Sequence, residues 1–192
     1  MVSKMSAVQA AVAALVVIAS GAVAQGAGGN GFEVPARLRA EARFAPPGAF
    51  LPSPAVTYGM DLVPAGAWIQ VEQRTAPFGR EGTTVVLRVR GLVPGHAYGV
   101  HVHRAPCGSK PGDAGDHYRH RPATASDQAN EVWLDFTPDK SGSAAAVAHH
   151  AWGFRPGEAN SVVIHREPGG KGDRLACFTV PFRAPGEHRP AG

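Results

Sequence analysis

Short runs of alternating apolar and polar residues recur along the chain beyond position 67. A period of two is typical of strands with one buried face, whereas an amphipathic helix shows a period of 3.6. Turn signals such as Pro94-Gly95 and Pro156-Gly157 separate the runs. The predicted strands cover residues 68–73, 83–89, 98–103, 132–136, 144–152, 161–165 and 175–182. Several short strands without a long helix indicate an all-β fold, an antiparallel sandwich or barrel.

The first third of the chain has a different composition. Residues 1–24 combine Lys4, a long apolar run and the small residues Ala22-Val23-Ala24. This pattern predicts a secretory signal peptide, with an uncleaved membrane anchor as the alternative. Residues 25–64 are rich in Gly, Ala and Pro, and we expect an arm or linker there. Within it, residues 38–44 could form one helical turn or a short strand.

One folded domain is expected over residues 65–183, with ordered structure beginning around Ala67. Residues 184–192 are predicted to be a disordered tail. The predicted localisation is secreted, periplasmic or cell-envelope, without stable membrane insertion once the signal peptide is removed.

The chain carries a formal net charge of +4. Its basic residues are dispersed along the sequence and form no block. Dispersed basic charge favours the attraction of small anions and does not indicate the reading of a nucleic-acid sequence. We therefore predict no nucleic-acid partner.

Cys107 and Cys177 are the only two cysteines. Disulfides persist outside the cytosol, so an intramolecular pair is the simplest outcome for an exported chain. Two free thiols that bind metal are the alternative.

Two of the nine histidines, His101 and His103, lie two positions apart in a predicted strand. Side chains at this spacing project from the same face of a strand and can bind one ion. We place His117 and His165 with them, although the four could also be unrelated surface and strand-end residues. His149 and His150 are adjacent and face opposite ways on a strand, so we expect surface residues, with an auxiliary metal-loading site as the alternative.

Four segments, in order, resemble the copper/zinc superoxide dismutases. Residues 91–103 resemble their segment GLxPGxHGFHVH, and residues 114–117 resemble AGxH. Residues 162–165 resemble LVVH, and residues 173–177 resemble SRLAC. The agreement runs from about Ala67 to Phe182 and implies a Greek-key β-sandwich, related in architecture to the immunoglobulin-like sandwich.

The resemblance also implies roles for particular residues. His101, His103 and His165 match copper ligands, and His117 matches the imidazolate that bridges copper to zinc. That histidine would leave the copper and take up a proton when the metal is reduced. Cys107 and Cys177 match the family disulfide, and Arg174 matches the arginine that guides superoxide. A guanidinium suits this task because its charge is permanent and its fork donates hydrogen bonds to a small anion.

The zinc half of the family pattern is incomplete. After His117 the following loop offers only His120 and Asp127, whereas a structural zinc site has four ligands. The stretch from His165 to Cys177 is also shorter than the charged loop of zinc-containing relatives. Both departures resemble the copper-only branch, so copper is the expected cofactor.

In the copper-only branch an acidic residue orients the former bridging histidine. Glu131 is our candidate and Asp127 the second; an exposed carboxylate at the start of a strand is the alternative for Glu131. Trp133 and Trp152 are expected to be core or edge aromatics.

We therefore expect an exported superoxide dismutase-like enzyme that binds copper and takes superoxide as its substrate. Two alternatives are a secreted copper-binding module with little or no turnover, and a wall-associated sandwich with vestigial histidines. The sequence leaves the oligomeric state open.

Overall fold

The fold is built almost entirely from β-strands. The computed structural model describes residues 37–76, 82–170 and 172–187. Besides one short 3-10 helix, Pro111–Ala114, these contain eight strands. They are β1 (Arg37–Arg43), β2 (Ala55–Thr57), β3 (Trp68–Thr75), β4 (Thr83–Arg90), β5 (Gly99–His103), β6 (Ala144–His150), β7 (Ser161–His165) and β8 (Arg174–Thr179).

The strands form two antiparallel four-stranded sheets. The first sheet has the order β1-β3-β4-β6, and the second has the order β2-β8-β7-β5. This arrangement fits the expected β-sandwich. The expected strand at 132–136 instead runs beside β5 through isolated bridges, Tyr98 to Phe136 and His101 to Trp133.

A single apolar core joins the inner faces of both sheets. In β4 alternate side chains are buried, and Val85, Leu87 and Val89 belong to this core. Val100 and Val102 of β5 belong to the same cluster from the second sheet. The side chains between them, His101 and His103, therefore face away from the core.

Every residue of β5 and β7 is buried, on both faces of the second sheet. The outer face of these strands is therefore covered by loops. Val163, Cys177 and Ala114 form a small second cluster there. A disulfide joins Cys107 to Cys177, with a Cα–Cα distance of 5.7 Å. The predicted pairing is confirmed, and it ties the loop after β5 to β8.

The ends of the folded domain differ from the expected bounds. Ordered structure begins well before Ala67, because β1 pairs with β3 and both Leu38 and Phe44 enter the core. The few apolar residues of this segment did not indicate a strand clearly, because the surrounding Gly and Pro residues favour a linker. In the expected tail, Ala184 is 5% exposed. Residues 188–192 lie outside the described part. The expected signal peptide also lies outside the described residues. The part of the chain that the structure describes contains no helix able to span a membrane.

Candidate metal centre

Four histidine side chains meet on the outer face of the second sheet. His101 and His103 lie on β5, and His165 ends the neighbouring strand β7. His117 follows the 3-10 helix and reaches β5 through an isolated bridge to His103. The ring centroid of His117 lies 4.5 Å from that of His101, 4.6 Å from that of His103 and 5.5 Å from that of His165. The structure thus brings together the four histidines that the sequence singled out.

The spacing of the ring nitrogens suits a metal ion. His103 Nε2 lies 3.3 Å from His165 Nε2. Ligand atoms of His103, His117 and His165 lie within 4.8 Å of one another, and so do those of His101, His117 and Glu131. Imidazole nitrogens bind an ion such as zinc at about 2.0–2.1 Å, so two nitrogens on one ion lie at most about 4 Å apart. These buried groups could hold a metal ion after a small contraction.

Burial keeps the imidazoles of His103, His117 and His165 neutral. His101 and His103 are fully buried, and His165 is 3% exposed. Burial lowers the pKa of His103 to about 2 and that of His165 to about 4. Burial also lowers the pKa of His117, although its hydrogen bond to Glu131 acts in the opposite direction. Neutral imidazole is the form that binds metal, so the ring nitrogens are ready for one at neutral pH.

Hydrogen bonds determine which nitrogen is available on two of the rings. His103 Nδ1 lies 3.0 Å from the carbonyl oxygen of Gly115, which can only accept, so Nδ1 carries the proton. His117 Nδ1 lies 2.9 Å from Glu131 Oε2 and donates in the same way. The Nε2 atoms of both rings therefore carry an unprotonated lone pair, and that of His103 faces His165 Nε2.

Glu131 is a buried carboxylate with three donors. Its side chain is 1% exposed and accepts from His117 Nδ1, from Trp133 Nε1 at 3.0 Å and from Arg119 Nε at 2.8 Å. Burial alone would raise the pKa of Glu131, but these hydrogen bonds lower it below its ordinary value. The side chain is therefore ionised and holds the His117 ring in one orientation. Glu131 is not the exposed residue that the sequence left as an alternative.

The two nitrogens of His101 are buried without a hydrogen bond in the described part of the chain. The nearest carboxylate oxygens are Glu131 Oε2, 3.7 Å from Nδ1, and Asp135 Oδ1, 3.4 Å from Nε2. The Trp133 ring covers His101 at a centroid distance of 4.8 Å. Unsatisfied buried nitrogens are costly, so their presence beside three other imidazoles supports a metal site.

Asp135 is fixed by the backbone. Its Oδ1 accepts from the amide of Val100 and its Oδ2 from the amide of Gly169, both at 2.8 Å. Burial would raise the pKa of Asp135, but contacts with His101 and these two amides lower it. Asp135 thereby links β5, which carries His101, to the loop after β7.

That loop closes over the histidines at Gly170. A Cβ atom on Gly170 would lie 2.7 Å from His117 Cε1 and 2.8 Å from His101 Cε1. Its φ of 72° also favours glycine. The backbone can approach the two rings this closely only because the residue has no side chain.

Arg174 lies beside the cluster, because it is the partner of His165 across β7 and β8. The half-buried side chain donates from Nη1 to the carbonyl of Pro111 at 3.1 Å. Its positive charge contributes to the lowered pKa of His103 and His165. The guanidinium is therefore within electrostatic reach of the imidazoles.

The two remaining zinc candidates do not join the cluster. His120 stacks on Trp152 with centroids 4.7 Å apart, and exposed Asp127 accepts the backbone amide of Ala129. Neither belongs to a group of three candidate ligands in the described residues. The His150 ring also stacks on Trp152, with the ring centroids 4.1 Å apart. Exposed His149 contacts Thr84 Oγ1.

Sequence reasoning missed Asp135 and Arg119, and it assigned Trp133 to a core or edge position. A signal for two of these was present: Glu131, Trp133 and Asp135 are alternate residues of one extended segment, and such residues share a face. Arg119 gives no comparable signal, since its contact with Glu131 depends on how the loop folds.

The comparisons with known proteins do not identify a family. No family model matches the chain, and no curated protein matches it.

Proposed function

We propose that this protein is an exported superoxide dismutase that binds one copper ion. The convergence of four imidazoles carries the proposal: His101, His103 and His165 are buried and His117 is partly buried. Imidazole nitrogens suit copper, zinc, iron or nickel. The resemblance of the sequence around these histidines to the copper/zinc superoxide dismutases favours copper.

The contacts of His117 favour one metal ion over two. A bridging imidazolate binds a second ion through its other nitrogen, but here Nδ1 of His117 is engaged by Glu131. The Glu131 carboxylate therefore stands where a second metal ion would bind Nδ1, so His117 needs no zinc ion to orient its ring. Neither His120 nor Asp127 belongs to a candidate ligand group among the described residues, which agrees with this.

Bound copper would supply one-electron exchange, so that two superoxide ions and two protons become one dioxygen and one hydrogen peroxide. The chain offers His117 Nε2 for either the metal or a proton, because Nδ1 keeps its own proton toward Glu131. Glu131 holds the ring in position in both cases, and Arg119 and Trp133 hold Glu131. Proton delivery to substrate is thereby assigned to a defined atom.

Arg174 is the residue that would bind the anion. It lies across from His165, and only Nη1 of its guanidinium has a hydrogen-bond partner in the described part of the chain. The remaining N–H groups can donate to a small anion next to the imidazoles. Its fixed charge attracts superoxide at any physiological pH.

The strand connections support a Greek-key, dismutase-like sandwich. The chain leaves the first sheet after β4, enters the second at β5, returns to pair β6 with β4, and then pairs β7 with β5. Crossing between sheets in this way is typical of Greek-key sandwiches. The disulfide and the signal-like residues 1–24 support export, since disulfides persist outside the cytosol.

The test combines elemental analysis with a superoxide-consumption assay on one disulfide-intact sample. We expect one copper, little zinc and rapid loss of superoxide. Copper binding without turnover would instead support a secreted copper-binding module, which the burial of His101, His103 and His165 also suits. A protein that takes up no copper would refute both functions.

Arg174→Ala separates the two functions. In an enzyme, loss of a charge-assisted hydrogen bond of about 1.5–3 kcal/mol should lower turnover by about tenfold or more with unchanged copper content. Arg166→Ala is the matched control, because Arg166 is paired with Asp61 and Asp173. Equal activity in the two variants would contradict the role assigned to Arg174.

A further inference from the structure

The outer face of the first sheet carries a concentration of positive charge, although the basic residues that form it are dispersed along the sequence. Six arginines point outward from β1, β3 and β4, and they are Arg37, Arg39, Arg43, Arg74, Arg88 and Arg90. The same face has two acidic residues, Glu41 and Glu72. The surplus of four positive charges equals the formal net charge of the whole chain. Residues dispersed in sequence are thus gathered by the strand pairing.

The arginines at the two ends of this face differ in their partners. Arg37 and Arg74 both bind the buried carboxylate of Glu72, at 2.8 Å and 2.5 Å. At the other end, no carboxylate lies within salt-bridge distance of Arg43, Arg88 or Arg90 among the described residues. The free positive charge is therefore concentrated at one end.

A cross-strand row forms the centre of that end. Arg43 of β1 pairs with Trp68 of β3, and Trp68 pairs with Arg90 of β4. The guanidinium of Arg90 lies 5.0 Å from the Trp68 ring centroid, and Arg43 Nη1 donates to the carbonyl of Gly66. In the next row, Arg88 Nη1 donates to Gln70 Oε1. These contacts hold each guanidinium in place while leaving other N–H groups free.

An open groove of about 730 Å³ runs over these rows, and its charged lining residues are Arg39, Glu41, Arg43, Arg88 and Arg90. The Glu41 carboxylate is paired with Arg39 at 3.0 Å, so Arg43, Arg88 and Arg90 leave a surplus of positive charge in the groove. Adjacent strands are about 4.8 Å apart, so Arg43 and Arg90 are separated by about 10 Å. A linear ligand with repeated negative charges can meet both arginines at once. The carbonyl oxygens of Gln70 and Gly66 each accept one hydrogen bond from an arginine and keep a second lone pair for a neutral hydroxyl between the charges.

We infer that this arginine face binds an acidic polysaccharide. Carboxylate groups on a sugar chain match the guanidinium forks, and the chain's hydroxyls match the polar groups of the groove. Single-stranded nucleic acid is a poorer match, because it needs several aromatic rings for stacking and this groove has only Trp68. A lipid surface is also a poorer match, since Phe50 and Leu51, the most exposed large apolar residues described, are not on this sheet.

The probe is an oligogalacturonate of defined length, titrated into the whole protein by calorimetry at low and at physiological salt. The site variant is Arg43→Gln with Arg90→Gln, both exposed positions. The matched control is Lys110→Gln with Arg121→Gln, which removes two exposed charges elsewhere. The two variants have equal net charge, so a difference between them reports location.

We expect the wild type to bind and the site variant to bind at least about tenfold more weakly, since two charge-assisted hydrogen bonds are lost. The control should change by less than about twofold, and single Arg88→Gln should show an intermediate loss. Neutral dextran should not bind. Circular dichroism and the intact disulfide verify that each variant is folded.

Three outcomes would overturn the inference. They are no binding of oligogalacturonate by the wild type at low salt, equal weakening in the two double variants, and tighter binding of a single-stranded oligonucleotide or an anionic vesicle. None of these bears on copper binding, so the arginine face and the proposed enzyme function can fail separately.

Discussion

Gly170→Ala is the most direct test of the candidate metal centre, because the glycine leaves no space for a side chain. The added Cβ atom would lie 2.7 Å from His117 Cε1 and 2.8 Å from His101 Cε1. Non-bonded carbon atoms pack at about 3.5–4.0 Å, so the rings or the loop must move by at least about 0.8 Å. Metal ligands tolerate errors of only about 0.2 Å in distance.

Gly48→Ala is a matched control for the backbone. Gly48 has a φ of 76°, close to the 72° of Gly170, but nothing lies within 4 Å of its Cβ position. Both variants therefore incur a left-handed backbone cost of about 1–2 kcal/mol. Only Gly170→Ala adds the steric cost of overpacking, which is about 1–3 kcal/mol.

Urea denaturation of the metal-free protein and competition titration with a copper chelator measure the two effects. We expect Gly170→Ala to lose more free energy of unfolding than Gly48→Ala by about 1–3 kcal/mol. Copper affinity should fall about tenfold or more in Gly170→Ala alone, because two imidazoles are displaced. Equal destabilisation of the two variants with unchanged copper affinity would refute this reasoning.

The buried carboxylate, the imidazoles and the disulfide each provide a further test. Glu131→Gln should lower copper affinity about 10- to 100-fold in the same titration, whereas Glu41→Gln on the first sheet should not; equal affinities would contradict the orienting role. Because burial lowers the pKa of His103 to about 2 and of His165 to about 4, below the ordinary 6.5, only the unfolded chain takes up these protons as the pH first falls below 6.5. The metal-free protein should therefore lose about 1.4 kcal/mol of unfolding free energy per pH unit and per imidazole between pH 6.5 and 4, and pH-independent urea midpoints would argue against it. Reduction of the disulfide, which joins cysteines 70 residues apart, should cost about 4 kcal/mol in urea denaturation, so coincident curves with and without dithiothreitol would show that its loop contributes little.

Strand prediction succeeds where alternation involves large apolar residues. β4 has Val85, Leu87 and Val89 on one face and charged or half-exposed residues on the other, so its period of two is plain. β1 also alternates, but its small inward residues include Ala40 and Ala42. Alanine distinguishes weakly between strand, helix and loop, and the surrounding Pro and Gly favoured a linker.

The predictable part of the site is the part that depends on short spacing. His101 and His103 share a face because of strand geometry alone, and their side of β5 could be predicted from Val100 and Val102. The choice of Glu131 over Asp127 depends on the path of the chain from His117 to Glu131, which no periodicity encodes. Its outcome is visible only in the structure, where Asp127 caps a turn and Glu131 reaches His117.

The two faces of β5 separate the stability of the fold from the chemistry of the site. Val100 and Val102 pack into the core that joins both sheets, whereas His101 and His103 face a cover made by loops. Loops tolerate changes in length and sequence better than a packed core does. A change in the cover can therefore alter which groups surround the histidines while the sandwich remains intact. The contact of the Glu131 carboxylate with His117 Nδ1 belongs to this cover, since it lies on the loop side of His117.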